Sequence, residues 1–238
     1  MSSTTLQRAD ERFHTRLDWL DSKHNFSFGS HYSPAHTRHG LLLVNNDDVV
    51  APGGGFGTHG HTDMEIVTWV LSGRLEHRDS EGNHGVLYPG LAQRMSAGRG
   101  IRHSEMNASR DEPVHFVQMW VPPHTDGIDP GYEQLDVNEA LAGGGLVPIA
   151  SGAGHAGAIT IHQRGAVLYG GRLAPAATVD VPVDRHVHVF PALGAGTLVV
   201  DGHTYQLATG DSARLTDPGA ISFTAGADGA EVLVWVTA

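Results

Sequence analysis

Two short segments place metal-binding side chains at the spacing of a β-strand face. Gly57-Thr58-His59-Gly60-His61 contains an HxH pair, and Ile101-Arg102-His103-Ser104-Glu105 contains an HxE pair. In a strand, residues i and i+2 point to the same side. Each pair can therefore aim two donors at one point. Two antiparallel strands in a barrel interior would bring three neutral imidazoles and one carboxylate onto a single divalent ion. A lone HxH is more often two solvated strand residues; two such pairs, each preceded by a glycine-rich turn, favour the metal. The chain has no cysteine, so any metal here takes nitrogen and oxygen ligands.

Elements able to hold these pairs are strands. Ile66 to Leu71 (IVTWVL), Arg74 to Arg78 and His115 to Val121 (HFVQMWV) are β-rich. Leu41-Leu42-Leu43-Val44 reads as a first strand. Asp79-Ser80-Glu81-Gly82-Asn83 reads as a hairpin turn, and Pro122-Pro123 ends the strand before it. The glycine-rich stretch 51–57 lacks the lysine and the strand-loop-helix context of a phosphate loop, and is read as a turn. With 31 glycines and little helical periodicity, the chain is expected to be all-β.

Residues 1–12 are read as a flexible tail, 13–121 as the metal-binding domain and 122–148 as a polar, glycine-rich linker with a short helix over 136–142. A second β-rich domain spans 149–238. The two halves match without a gap when Gly82 is set on Gly202: Gly90 then meets Gly210, Leu87 meets Leu207, Arg94 meets Arg214, Met95 meets Leu215 and Ile101 meets Ile221. Hydrophobic parity is kept throughout, which points to duplication of one small barrel. The second half does not repeat the ligands. His103 falls on Phe223 and Glu105 on Ala225; setting Gly73 on Gly196 puts His59 on Pro182 and His61 on Asp184. His186-Val187-His188 also spells HxH, but at the wrong place, and is read as strand residues on a solvated face.

The net charge of −11 disfavours direct nucleic-acid binding and an anionic membrane surface. No apolar run approaches the ~20 residues that span a bilayer, and the first residues lack a secretory core. A soluble, cytoplasmic monomer is expected.

The surroundings of the histidine pairs resemble a cupin. Gly53, His59, His61, Glu65 and Gly73 fit its first motif, and Pro89-Gly90 leading to His103 fits its second. More closely, GTHGHTDMEIVTWVLSGRLEHRDSEGN and MSAGRGIRHSEMNAS resemble the pirin family, nearest its bacterial quercetin 2,3-dioxygenase-like members, over most of residues 10–135. The resemblance implies a bicupin of two jelly-roll barrels with metal in the first only. Strand parity allows Glu65 as well as Glu105 to be the carboxylate ligand. Pirin-like proteins use the glutamate of HxE, which favours Glu105 and leaves Glu65 as a hydrogen-bonding neighbour of a ligand imidazole.

Four protein ligands on an octahedral ion leave two open positions, unlike closed structural zinc. Fe(II) is the first choice, with Mn, Ni, Co, Cu and Zn open. The implied reaction is cleavage of the heterocycle of a flavonol such as quercetin by O2, giving a depside and carbon monoxide, with Glu105 as the base. Phe56, Met64 and Gln118 are candidate pocket residues. The other reading implied by the family is a metal-dependent regulator that binds a protein partner without turnover.

Overall fold

The computed structural model describes residues 2–238. The first half is built from two antiparallel sheets. The larger runs, in spatial order, Gly131–Asp136, Leu91–Ser96, Glu65–Ser72, Val114–Val121, Val44–Val50, Leu20–His24 and Phe13–Leu17. The smaller runs Gly55–His61, Ile101–Asn107, Leu75–Asp79 and His84–Leu87. The β-branched and aromatic residues of IVTWVL form the buried centre of the larger sheet, where such side chains fit a pleated surface.

One nine-stranded sheet forms the second half. Its two long strands, His186–Val200 and Ile221–Thr237, pair along most of their length. Register shifts at Pro191/Leu193 and Gly194/Gly196 mark bulges, which let one strand bend and serve both walls of a barrel. The protein is thus nearly all-β, with two barrels. The internal match recurs in the backbone: Gly82 and Gly202 have φ of 90° and 80°, and Gly90 and Gly210 of 86° and 79°. These turns need left-handed residues at the same places in both barrels.

Within the described residues, the segment expected as a tail is not one; Met1 lies outside them. Ser3–Gln7 is a strand paired with Ser212–Thr216, an edge of the second barrel. Arg8 and Ala9 then anchor the chain to the Asp211 carboxylate, at 2.7 and 2.8 Å. The segment expected as a linker also contributes a strand: Gly131–Asp136 pairs with Leu91–Ser96 and extends the larger sheet. The short helix is present, at Asn138–Leu141. One core spans both halves. It joins Phe26, Trp69, Val117 and Met119 from the first to Ile149, Leu168, Phe190 and Trp235 from the second.

His188 overturns the solvated-face reading of the second HxH. It is 1% exposed and lies beside Phe26 and Phe190, with ring centroids 5.9 and 6.3 Å away. Its neighbours Val187, Val189 and Phe190 are buried too, so both faces of the strand are covered here and alternation no longer means one wet face. Burial holds the His188 imidazole far below its usual range, with Arg214 and His39 adding to the effect. The His39 ring is lowered to about 4, chiefly by burial, with His186 and Arg214 contributing. Both rings are neutral in the fold but take protons in the unfolded chain below about pH 6.5, so stability falls as pH drops through that point. Denaturant melts at pH 7.5 and 5.0 should show this loss, and it should be smaller in His188→Phe. His188→Ala should cost about 2–4 kcal/mol by emptying a core site, with metal content unchanged by elemental analysis.

Candidate metal centre

The smaller sheet assembles the histidines. Gly55–His61 is its edge strand and has Ile101–Asn107 as its neighbour, with His59 directly opposite His103 and His61 opposite Ile101. The ring centroids lie 4.9 Å (His59–His61), 4.4 Å (His59–His103) and 5.0 Å (His61–His103) apart. One ring nitrogen from each lies within 4.8 Å of the others, a grouping able to hold an ion. The Gly57 carbonyl accepts the Nδ1–H of His59 at 2.8 Å. That bond leaves Nε2 bare as a donor.

The unsatisfied atoms fit a metal. His61 Nε2 and both ring nitrogens of His103 are sealed from solvent without a hydrogen-bond partner among the described residues. An orphaned buried polar group costs about 1–3 kcal/mol, which a cation at the centre of the three rings would relieve. Burial, together with the neighbouring imidazoles, lowers His61 to about 4 and His103 to about 3. Both therefore present neutral lone pairs at physiological pH, the form that ligates.

Glu105 is 2% exposed. Gln118 Nε2 donates to both of its oxygens, at 2.9 and 2.8 Å, and Gln118 Oε1 accepts from Trp120 at 3.1 Å. Gln118 is thus engaged in holding Glu105, and its amide is not free for a phenolic oxygen. The pairing between Gly55–His61 and Ile101–Asn107 slips between His103 and Glu105, so Glu105 faces Phe56. Its oxygens group with His103 and His77, not with His59 and His61. The structure therefore brings together three of the four expected ligands and sets the fourth beside His103.

His77 escaped the sequence reading. It is 1% exposed, its ring centroid lies 5.3 Å from that of His103, and its Nε2 meets Asp79 Oδ2 at 3.2 Å. Asp79 Oδ1 accepts the backbone N–H groups of Glu81 and Asn83. Burial alone would raise the Asp79 carboxyl, but bonds from Asn83 and His77 outweigh it and hold it below its usual value. The signal was available: His77-Arg78-Asp79 is a third i, i+2 pair, here HxD.

Glu65 has no place in the centre. The turn after His61 takes Asp63 to φ 47°, and the chain re-enters as a strand of the other sheet. Strand parity is lost there. Glu65 Oε2 instead accepts from Ser96 Oγ and from the His162 backbone N–H, both at 2.9 Å, at the seam with the second barrel. It is neither a ligand nor a neighbour of a ligand imidazole.

A cavity of about 510 Å³ opens onto His59, His61 and Glu105, within the ~300–1,000 Å³ of pockets for drug-sized ligands. Its walls include two edge-to-face aromatic pairs, Trp19–Phe56 at 5.2 Å and Phe28–Trp120 at 5.5 Å. Phe56 is therefore a pocket residue. Met64 is not: it packs on Ile66, Met95 and Ile101.

Known proteins match the chain along nearly its whole length. The pirin family model matches residues 6–121, and that of the quercetinase C-terminal cupin domain matches residues 148–235. A Mycobacterium tuberculosis protein provisionally named quercetin 2,3-dioxygenase is 54% identical over 235 residues, 98% of this chain and 95% of its own. The Escherichia coli K12 protein named quercetin 2,3-dioxygenase is 40% identical over 231 residues, 97% and 96% of the two chains. The crystal structure of bacterial pirin YhhW from E. coli in complex with nickel(II) superimposes with a TM-score of 0.88 at 38% identity, covering 98% of both chains. With both barrels matched, the chain belongs to the pirin family of two-barrel cupins.

Proposed function

We propose that the protein is a metal-dependent dioxygenase that opens the heterocycle of flavonols such as quercetin with O2, giving a depside and carbon monoxide. His59, His61 and His103 would hold the ion, with Glu105 as the fourth ligand. The observation that carries this reading is the set of imidazole nitrogens buried without a partner among the described residues, beside a cavity walled by aromatic pairs. The ion, when bound, would acidify the flavonol 3-hydroxyl and admit O2 beside it. YhhW holds nickel(II) in its crystal structure; for this chain Fe(II) remains our first choice.

The chain's own residues supply the rest. Glu105 accepts the 3-hydroxyl proton. Gln118 keeps that carboxylate oriented, because its amide can donate to both oxygens yet brings no charge. Trp19, Phe56, Phe28 and Trp120 hold a flat ring system and exclude water from it. The test is an aerobic assay of metal-reconstituted protein that follows quercetin loss and carbon monoxide release together. Both should appear with wild type. Metal-replete protein that releases no carbon monoxide would overturn the reading and leave the partner-binding regulator in its place.

A further inference from the structure

The cavity has a polar wall that the chemistry at the metal does not use. Three adjacent strands of the larger sheet place Gln118, Asn46 and His24 in one cross-strand row, and Phe116, Asp48 and Ser22 in the next. Asn46 and Asp48 are i, i+2 neighbours and so share a face. Ser22, His24, Asn46 and Asp48 all line the same cavity as His59, His61 and Glu105.

Two atoms of this wall are unspent. Asp48 is 3% exposed, and Ser22 Oγ donates to its Oδ1. Its Oδ2 accepts from no donor among the described residues, yet it is not among the atoms sealed from solvent. It therefore borders the cavity. Asp48 also has no cation partner among the described residues, whereas its neighbour Asp47 is paired with Arg12 and His115. Asn46 is also 3% exposed, and its Oδ1 accepts the Nδ1–H of His24 at 2.8 Å. Its Nδ2 likewise has no acceptor and is not sealed. The wall thus offers a free acceptor and a free donor side by side. A carboxyl buried without a cation is costly to the fold, and one that sits in a cleft is a candidate for a functional site.

A vicinal diol on an aromatic ring fits this pair: one hydroxyl donates to Asp48 Oδ2 while its neighbour accepts from Asn46 Nδ2. Resting on the flavonol reading above, we propose that Asp48 and Asn46 form a subsite that reads the hydroxyls of the substrate ring remote from the metal, selecting a dihydroxyphenyl group over a bare phenyl.

The test is anaerobic titration of metal-reconstituted protein, followed by quenching of the fluorescence of Trp19 and Trp120 in the cavity wall. The ligands are quercetin and the flavonol that differs only in having a bare phenyl ring. Wild type should bind quercetin about tenfold tighter or better, the lower end of what one hydrogen bond to a charged group supplies. Asp48→Asn should shrink that ratio at least threefold. Burial pushes the Asp48 carboxyl up to about 7, against its Ser22 bond, so the neutral isostere removes a burden from the fold. Asn46→Ala probes the subsite without touching Asp48 and should also shrink the ratio at least threefold. An unchanged ratio in both variants, with both flavonols still bound, would overturn the subsite alone. Failure of wild type to bind either flavonol would overturn the flavonol reading and the subsite with it.

Discussion

Replacing His103 with alanine is expected to strip the metal from the purified protein, leaving less than about a tenth of wild-type occupancy. Residues that only support a ligand cost 10- to 100-fold in metal affinity when removed, and a direct ligand costs more. His103 should be the most sensitive of the three histidines. It faces His59 across the strand pair and is the only one of the three that also groups with Glu105 and His77. Both of its nitrogens are buried without a hydrogen-bond partner among the described residues, so the ion we propose would satisfy more of its bonding than that of the other two. Elemental analysis after reconstitution reads the result, with circular dichroism to show that the variant is folded. Full occupancy in folded His103→Ala would remove the metal centre from where we place it.

Glu105→Gln should separate binding from chemistry. The substitution keeps the volume, removes the anionic donor and the base together, and sets a second amide against Gln118, whose Nε2 now donates to both carboxylate oxygens. We expect weaker metal binding and, per metal-loaded molecule, a turnover lower by ~10²- to 10⁴-fold, the usual contribution of a general base. Rate and occupancy have to be measured on the same reconstituted sample. Glu65→Gln is the contrast. Its partners are Ser96 and His162 at the seam between barrels, so it should keep both metal and turnover and shift only the thermal midpoint. If Glu65→Gln emptied the site while Glu105→Gln stayed loaded and active, the ligand set proposed here would be wrong.

The grouping of His59, His61 and His103 was legible because His59 and His61 lie within one strand, where the two-residue period leaves no freedom, and His103 lies opposite His59. The same period misled wherever it was carried across a turn or applied to a covered strand. Glu65 has the right parity from His61, but the turn at Asp63 moves it to another sheet. Val187 and Val189 are buried on one face of their strand and His188 on the other, a pattern that a half-wet strand cannot give. His77 and Asp79 obeyed the rule and were missed because one was read at the end of a strand and the other in the turn after it. The strand at Gly131–Asp136 was hidden by a polar sequence, its contacts being supplied by Leu91–Ser96 some forty residues earlier.

The strand Ser3–Gln7 leaves its mark on how the protein is made. Its pairing partner is synthesised about 200 residues later, a wait of ~10–40 s at ribosomal rates of about 5–20 residues per second. An apolar strand left unpaired that long would seek other edges and aggregate. This one reads Ser-Thr-Thr-Leu-Gln, with a single large apolar side chain, and can wait in water without finding a wrong partner. The polarity that makes it look like a tail is what allows the chain to close its second barrel last.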